Sequence, residues 1–115
     1  MSLADRHSER RGAAVYHLIF LNGIPGRPLS SEVVNLQAAH LEELGNDGKL
    51  VLAGPIPERA GGLIVLRTES LAEARAIAEE DPMIRGGYQT YELGTWLMSN
   101  RQNNYRPNVQ GAPNT

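Results

Sequence analysis

The chain has 115 residues, enough for one domain, and 41% of them are hydrophobic, which is sufficient for a globular core and excludes wholesale disorder. Its 11 basic and 13 acidic residues are interspersed, so no basic stripe favours binding to nucleic acid. The absence of cysteine excludes disulfides, a thiol nucleophile and thiolate metal ligands. No apolar run approaches the length of a membrane span, so we expect a soluble, cytoplasmic protein with no membrane partner.

The first apolar segment, AAVYHLIFLN at 13–22, predicts a β-strand. Apolar residues occupy both of its faces, which is typical of a central strand that is covered on both sides. His17 interrupts one face, where a structural or interface role is expected. The polar residues 1–12 before the strand predict a flexible N-terminal arm. The glycines and prolines of GIPGRPL at 23–29 predict a loop after it.

The next segment, SSEVVNLQAAHLEELG from Ser30, predicts a helix with Ser30 as its N-cap. At roughly 100° per residue, Val33, His40 and Leu44 point the same way, so His40 lies near the centre of an apolar face. Two interpretations are open. The ring can be that of a core histidine, satisfied by a backbone carbonyl or a side chain. It can also be a catalytic imidazole in a dry pocket with a carboxylate beside it.

Two strands follow, KLVLAGPI at 49–56 and LIVLRT at 63–68, and the short glycine-containing turn between them predicts an antiparallel hairpin. The segment SLAEARAIAEE at 70–80 predicts the second helix, since it begins with a capping box and carries an alanine-rich stripe. Asp81 and Pro82 end this helix, and Asp81 can act as the N-cap of a further short turn. The last strand is predicted at 88–98, followed by a polar C-terminal tail at 99–115.

The order β-α-β-β-α-β over residues 13–98 predicts a ferredoxin-like α+β fold, in which two helices cover one face of a four-stranded antiparallel sheet. The first three strands are apolar on both faces, so the face without helices is expected to need a partner. The simplest partner is a second copy of the chain. We therefore expect a homodimer in which the two sheets face each other.

Three segments resemble the YciI-like family, which carries the YCII-related domain. They are AHLEELGNDGKLVLAGPIP at 39–57, GGLIVLRTESLAEARAIAEEDPMIRGGYQTYEL at 61–93, and Trp96. The resemblance implies a ferredoxin-like, dimeric α+β barrel. It also implies a pocket centred on a histidine and an aspartate proposed as catalytic, which correspond here to His40 and Asp81.

If His40 and Asp81 meet, the carboxylate fixes the tautomer of the imidazole and makes its other nitrogen a general base or acid. The three histidines lack metal-ligand spacing and no nucleotide-binding motif occurs, so we predict no metal and no cofactor. The predicted function is lyase-, isomerase- or hydrolase-like proton transfer on a small ring-containing or carbonyl ligand. Gly54 and Pro55 are predicted to shape the pocket, and Arg85 to hold an anionic group. The alternative is a non-catalytic dimeric ligand-binding or assembly module, in which the histidine and the aspartate form a structural pair.

Overall fold

The computed structural model describes residues 15–109, and its helices and strands follow the predicted order, with the short turn predicted after Asp81 present as a helix. They are β1 (Val15–Gly23), α1 (Ser31–Asn46), β2 (Leu50–Ile56), β3 (Gly61–Leu66), α2 (Leu71–Glu80), α3 (Pro82–Arg85) and β4 (Gln89–Leu97). The arm predicted at 1–12 and the last six positions of the predicted tail lie outside the described residues.

The chain divides into two compact units. The larger unit is His17–Gly94, and the described part of the smaller unit is residues 15–16 and 95–109. In the smaller unit, the rings of Tyr16 and Trp96 lie 6.5 Å apart at an angle of 59°. A 3-10 turn at Arg101–Asn103 follows, closed by a reciprocal capping box. The region predicted as a tail therefore contains a capped turn.

The four strands form one sheet in the order β2-β3-β1-β4. β3 pairs antiparallel with both β1 and β2, as the predicted hairpin requires. β1 lies in the interior of the sheet, while β2 is an edge strand whose register shifts between Leu50 and Leu52. This topology confirms the predicted α+β, ferredoxin-like fold.

The hydrophobic core lies where one face of the sheet meets the helices. Ile19 and Ile64 are paired across β1 and β3, and their exposed fractions are 0% and 2%. On α2, Ala74 and Ala78 are fully buried, since the small side chain lets a helix approach a sheet closely. The remaining members of the core cluster are Leu21, Leu44, Leu66 and Ile77. Burial of each large aliphatic side chain contributes about 1.5–3 kcal/mol.

The opposite face of the sheet is also apolar. Because side chains alternate along a strand, residues paired across strands share a face. Leu18 is paired with Val65, Phe20 with Leu63, and Val65 also with Leu52. We call these five residues the outer-face patch. Leu52 is 59% exposed, so this apolar surface reaches solvent.

Candidate acid–base site

The inward face of α1 carries polar residues among its apolar ones. Val33 and Leu44 are buried at 4% and 7% exposure, and Gln37 and His40 between them are half-buried. The helix begins at Ser30, whose Oγ accepts a hydrogen bond from the backbone N–H of Val33 at 3.1 Å. The inward stripe therefore has the spacing of one helical face, with two polar side chains within it.

Two apolar residues of α1 lie outside its buried stripe. Val34 and Leu36 are 44% and 53% exposed. Both lie to the sides of the line from Val33 to Leu44, where α1 turns away from its neighbours.

The Nε2 atom of His40 is buried and has no hydrogen-bond partner among the described residues. A core histidine is normally satisfied by a carbonyl, a side chain or water. Leaving such an atom without a partner costs about 1–3 kcal/mol, and buried orphan atoms call for a water, a ligand or a functional role. Among the described residues, no protein group satisfies this nitrogen, so the interpretation of His40 as a satisfied core histidine does not hold for Nε2.

Asp81 connects α2 to α3. Its side-chain Oδ1 accepts a hydrogen bond from the backbone N–H of Met83 at 2.7 Å, and Pro82 occupies the first turn of α3. This geometry confirms Asp81 as an N-cap. The side chain is 1% exposed, because α3 packs against both α1 and α2.

Gln37 also binds the carboxylate of Asp81. Its Nε2 lies 3.2 Å from Oδ2 and 3.5 Å from Oδ1. Within residues 15–109 Asp81 forms no ion pair, so its carboxylate is held by uncharged donors. The sequence interpretation missed Gln37, although its position four residues after Val33 and three before His40 places it on the same face.

The structure brings His40 and Asp81 to neighbouring helices that pack on each other, α1 and the start of α3. Among the described residues there is no hydrogen bond between them: Asp81 accepts from Met83 and Gln37, and Nε2 of His40 is without a partner. A direct pair of the two side chains remains a prediction.

The three residues predicted to bind the ligand are all exposed. Gly54 and Pro55 lie on the edge strand β2, and Gly54 is paired with Leu63, which places it on the face that carries the outer-face patch. Arg85 is the last residue of α3, four positions after Asp81. Ligand-binding roles for these three residues stay predictions.

The loop before α1 contacts the residues that follow α3. Arg27, in the loop before α1, donates from Nη2 to the carbonyl oxygen of Gly86 at 3.0 Å, and its guanidinium lies 4.9 Å from the centre of the Tyr88 ring. The backbone N–H of Ile24 also donates to the carbonyl oxygen of Tyr88 at 3.3 Å. These contacts join the loop that precedes α1 to the loop that follows α3.

Two further polar groups lie inside the larger unit. His17 is 7% exposed, and its Nδ1 shares a hydrogen bond of 2.8 Å with Oγ1 of Thr68. Gln89, at the start of β4, is also 7% exposed, and its Oε1 has no partner among the described residues. No sequence pattern indicated burial of Gln89, since a glutamine at a strand end is ordinarily solvated.

The ion pair of Lys49 and Glu73 is the main electrostatic feature away from this site, with 2.8 Å between Nζ and Oε2. The hydrogen bond from Lys49 lowers the pKa of Glu73 below its ordinary value, and the backbone N–H of Glu69 acts in the same direction. In turn, the hydrogen bond to Glu73 raises the pKa of Lys49.

Two features are absent from residues 15–109. No cluster of three or more histidine, cysteine, aspartate or glutamate side chains is placed to hold a metal ion. No helix in that range is long and apolar enough to cross a membrane.

The fold and the polar cluster define a small α+β domain with a histidine and an aspartate in its helical layer. The profile of the YCII-related domain family matches residues 16–97, which is more than half of the chain. The protein therefore belongs to the YCII-related domain family. This match confirms the resemblance seen in the sequence.

Among solved structures, the chain is similar to 5-chloro-2-hydroxyhydroquinone dehydrochlorinase (TftG) from Burkholderia phenoliruptrix AC1100, in complex with 2,5-dihydroxybenzoquinone. The TM-score is 0.57 and the sequences are 22% identical, with 75% of this chain and 96% of the other covered. At this identity the likeness concerns the fold. No match was found among the curated proteins.

Proposed function

We propose that this protein binds a small ring-containing or carbonyl compound at His40 and moves a proton to or from it without a metal or cofactor. The observation that carries the proposal is the buried Nε2 of His40, which has no hydrogen-bond partner within residues 15–109. A buried imidazole nitrogen in that state lacks a hydrogen-bond partner that a ligand can supply. Membership of the YCII-related domain family and the fold of a dehydrochlorinase are consistent with a small enzyme.

In this proposal His40 is the general base and acid. Its Nε2 takes a proton from a carbon or hydroxyl of the ligand, and the electron pair of the broken bond stays on the ligand. Returning the proton to a different atom gives an isomerisation, and loss of a leaving group gives an elimination. General acid–base catalysis of this kind contributes roughly 10²–10⁴ in rate.

Asp81 has an electrostatic role in the proposal. Its carboxylate is 1% exposed and forms no ion pair within the described part of the chain, so its negative charge is weakly screened and has no cationic partner there. Such a charge stabilises the imidazolium that forms when His40 takes up a proton.

The ligand-binding part is tested by calorimetric titration with 2,5-dihydroxybenzoquinone, the ring compound found in the dehydrochlorinase complex. His40→Ala and Asp81→Asn are each expected to weaken binding about tenfold or more, the effect of losing one good polar interaction. Asp81→Asn is the sharper variant, because its amide oxygen still caps the N–H of Met83. Ser70→Ala, which removes the N-cap of α2, is the matched control and should bind as the wild type does.

Binding that is equal in all four proteins, or absent from the wild type, would contradict the proposal. Solvent deuterium exchange then separates an enzyme from the non-catalytic alternative. An acid–base enzyme accelerates exchange of the ring hydrogens of the bound quinone in a His40-dependent way, whereas a binding module does not.

We infer that the protein is a homodimer whose sheets pack through the outer-face patch. Leu52 is 59% exposed at the edge of the patch, the patch residues Leu18, Phe20 and Leu63 are half-buried, and Val65 is 2% exposed. An apolar sheet face that carries no helices and reaches solvent is typical of an interface.

The dimer is tested by sedimentation at micromolar concentration. Leu52→Lys places a charge in the patch and is expected to give monomers. Leu36→Lys changes a leucine of similar exposure, 53%, on the outer side of α1 and should leave the dimer intact. A wild-type monomer would refute the inference.

A further inference from the structure

Asp81 has more hydrogen-bond donors than its structural role requires. Capping α3 needs one oxygen, and Oδ1 fills that role by accepting from Met83 at 2.7 Å. The second oxygen, Oδ2, has no capping function. Its donor among the described residues is Nε2 of Gln37, at 3.2 Å.

The donor comes from the helix that also carries His40. Gln37 and His40 are three residues apart, so they are neighbours on one face of α1. Gln37 is half-buried in the inward stripe, where a glutamine gives up hydration and side-chain freedom. Its hydrogen bond to a fully buried carboxylate offsets part of that cost.

We propose that Gln37 is a positioning residue, whose amide fixes the orientation of the Asp81 carboxylate relative to the His40 ring. This inference rests on the proposed function of the site. Two donors on two different oxygens define the plane of the carboxylate, whereas the cap alone leaves Oδ2 free to turn about the bond to the side chain. Because the amide is uncharged, it orients the carboxylate without neutralising its negative charge.

Three variants test the role of Gln37 in the full chain. Gln37→Leu keeps much of the side-chain volume but removes the donor. Gln37→Glu keeps the shape but places a second carboxylate against Asp81. Asn35→Leu, at an exposed position of α1, is the matched polar-to-leucine control. Each variant is titrated with 2,5-dihydroxybenzoquinone, and its melting temperature is measured in parallel.

We expect Gln37→Leu to weaken binding of the quinone about tenfold at all pH values, while Asn35→Leu binds as the wild type does. Gln37→Glu is expected to bind poorly at neutral pH and to bind better at acidic pH, since one of two adjacent carboxyl groups is protonated more readily and a hydrogen-bond donor is then restored. That recovery is a signature that a merely structural glutamine would not produce.

Several results would overturn the role of Gln37. If Gln37→Leu lowers the melting temperature and leaves binding unchanged, the residue only ties α1 to α3. Equal effects of Gln37→Leu and Asn35→Leu would also refute it, as would poor binding of Gln37→Glu at every pH. Normal binding by Gln37→Leu while His40→Ala and Asp81→Asn bind poorly removes this inference alone. Normal binding by those two variants, or no binding by the wild type, removes the proposed function and this inference with it.

Discussion

The two described histidines of this chain occupy similar positions in the sequence pattern but different surroundings in the fold. Both interrupt an apolar, inward-facing stripe, His17 on β1 and His40 on α1. Nδ1 of His17 is 2.8 Å from the hydroxyl of Thr68, whereas Nε2 of His40 is buried and finds no partner in the described part of the chain. A histidine on an apolar face therefore becomes structural or available according to whether an adjacent element supplies a partner, which the local pattern does not reveal.

The comparison predicts that His17 contributes much more than His40 to the free energy of unfolding, and this difference is the largest expected effect. His17→Ala should lower the free energy of unfolding by about 2–4 kcal/mol, because it leaves a cavity and removes the partner of Thr68. His40→Ala should cost less than about 1 kcal/mol, since it also removes an unsatisfied polar atom. Urea denaturation of the two variants measures the difference. A larger loss for His40→Ala would break the comparison and make His40 a structural residue.

Variants of Asp81 separate its role as a helix cap from the effect of its charge. Asp81→Ala removes the cap of α3 and the acceptor for Gln37, so a loss of about 1–2 kcal/mol is expected. Asp81→Asn keeps an oxygen for the N–H of Met83 and should lose less. Ser70→Ala, which removes only a cap, provides the reference in the same denaturation experiment. Equal losses for Asp81→Ala and Asp81→Asn would contradict the separation of capping from charge.

The smallest expected effect concerns how the ion pair of Lys49 and Glu73, which lies near His17, makes stability depend on pH. The pKa of Glu73 is lowered from 4.5, so its stabilising contribution is present above that pH and is lost as the pH falls through the folded-state pKa. The pKa of Lys49 is raised from 10.5, so its contribution is present below that pH and is lost as the pH rises through the folded-state pKa.

Lys49→Met removes the main cause of the shift at Glu73, so the melting temperature of this variant should fall less steeply than that of the wild type below about pH 4.5. The effect should be small because both side chains are about one-third exposed, at 39% and 31%. Thermal melts across the acid range measure it. Melting temperatures that fall equally with pH in the two proteins would show that the ion pair does not contribute to stability.

The larger features of the fold could be predicted because they follow from local patterns. Short apolar runs bounded by turn residues located the strands, and the capping signals at Ser30, Ser70 and Asp81 marked where helices begin. The role of Asp81 as a cap was predicted for the same reason.

The details of the site depend on contacts between distant elements, and the sequence could not supply them. The hydrogen bond from Gln37 to Asp81 joins residues 44 positions apart. The face on which Gly54 lies depends on the register of β2, which a bulge shifts. Leu36 is apolar but lies exposed on α1, because propensity and pattern do not fix the rotation of a helix against a sheet.

The most direct test of the role of His40 is a nitrogen-15 NMR titration of histidine-labelled protein with 2,5-dihydroxybenzoquinone. The resonances of His40 are assigned by their loss in His40→Ala. We predict that the Nε2 signal of His40 moves as the quinone binds, while the ring signals of His17 stay in place. A bound quinone that leaves Nε2 of His40 unmoved would contradict the assignment of this nitrogen as the atom that meets the ligand.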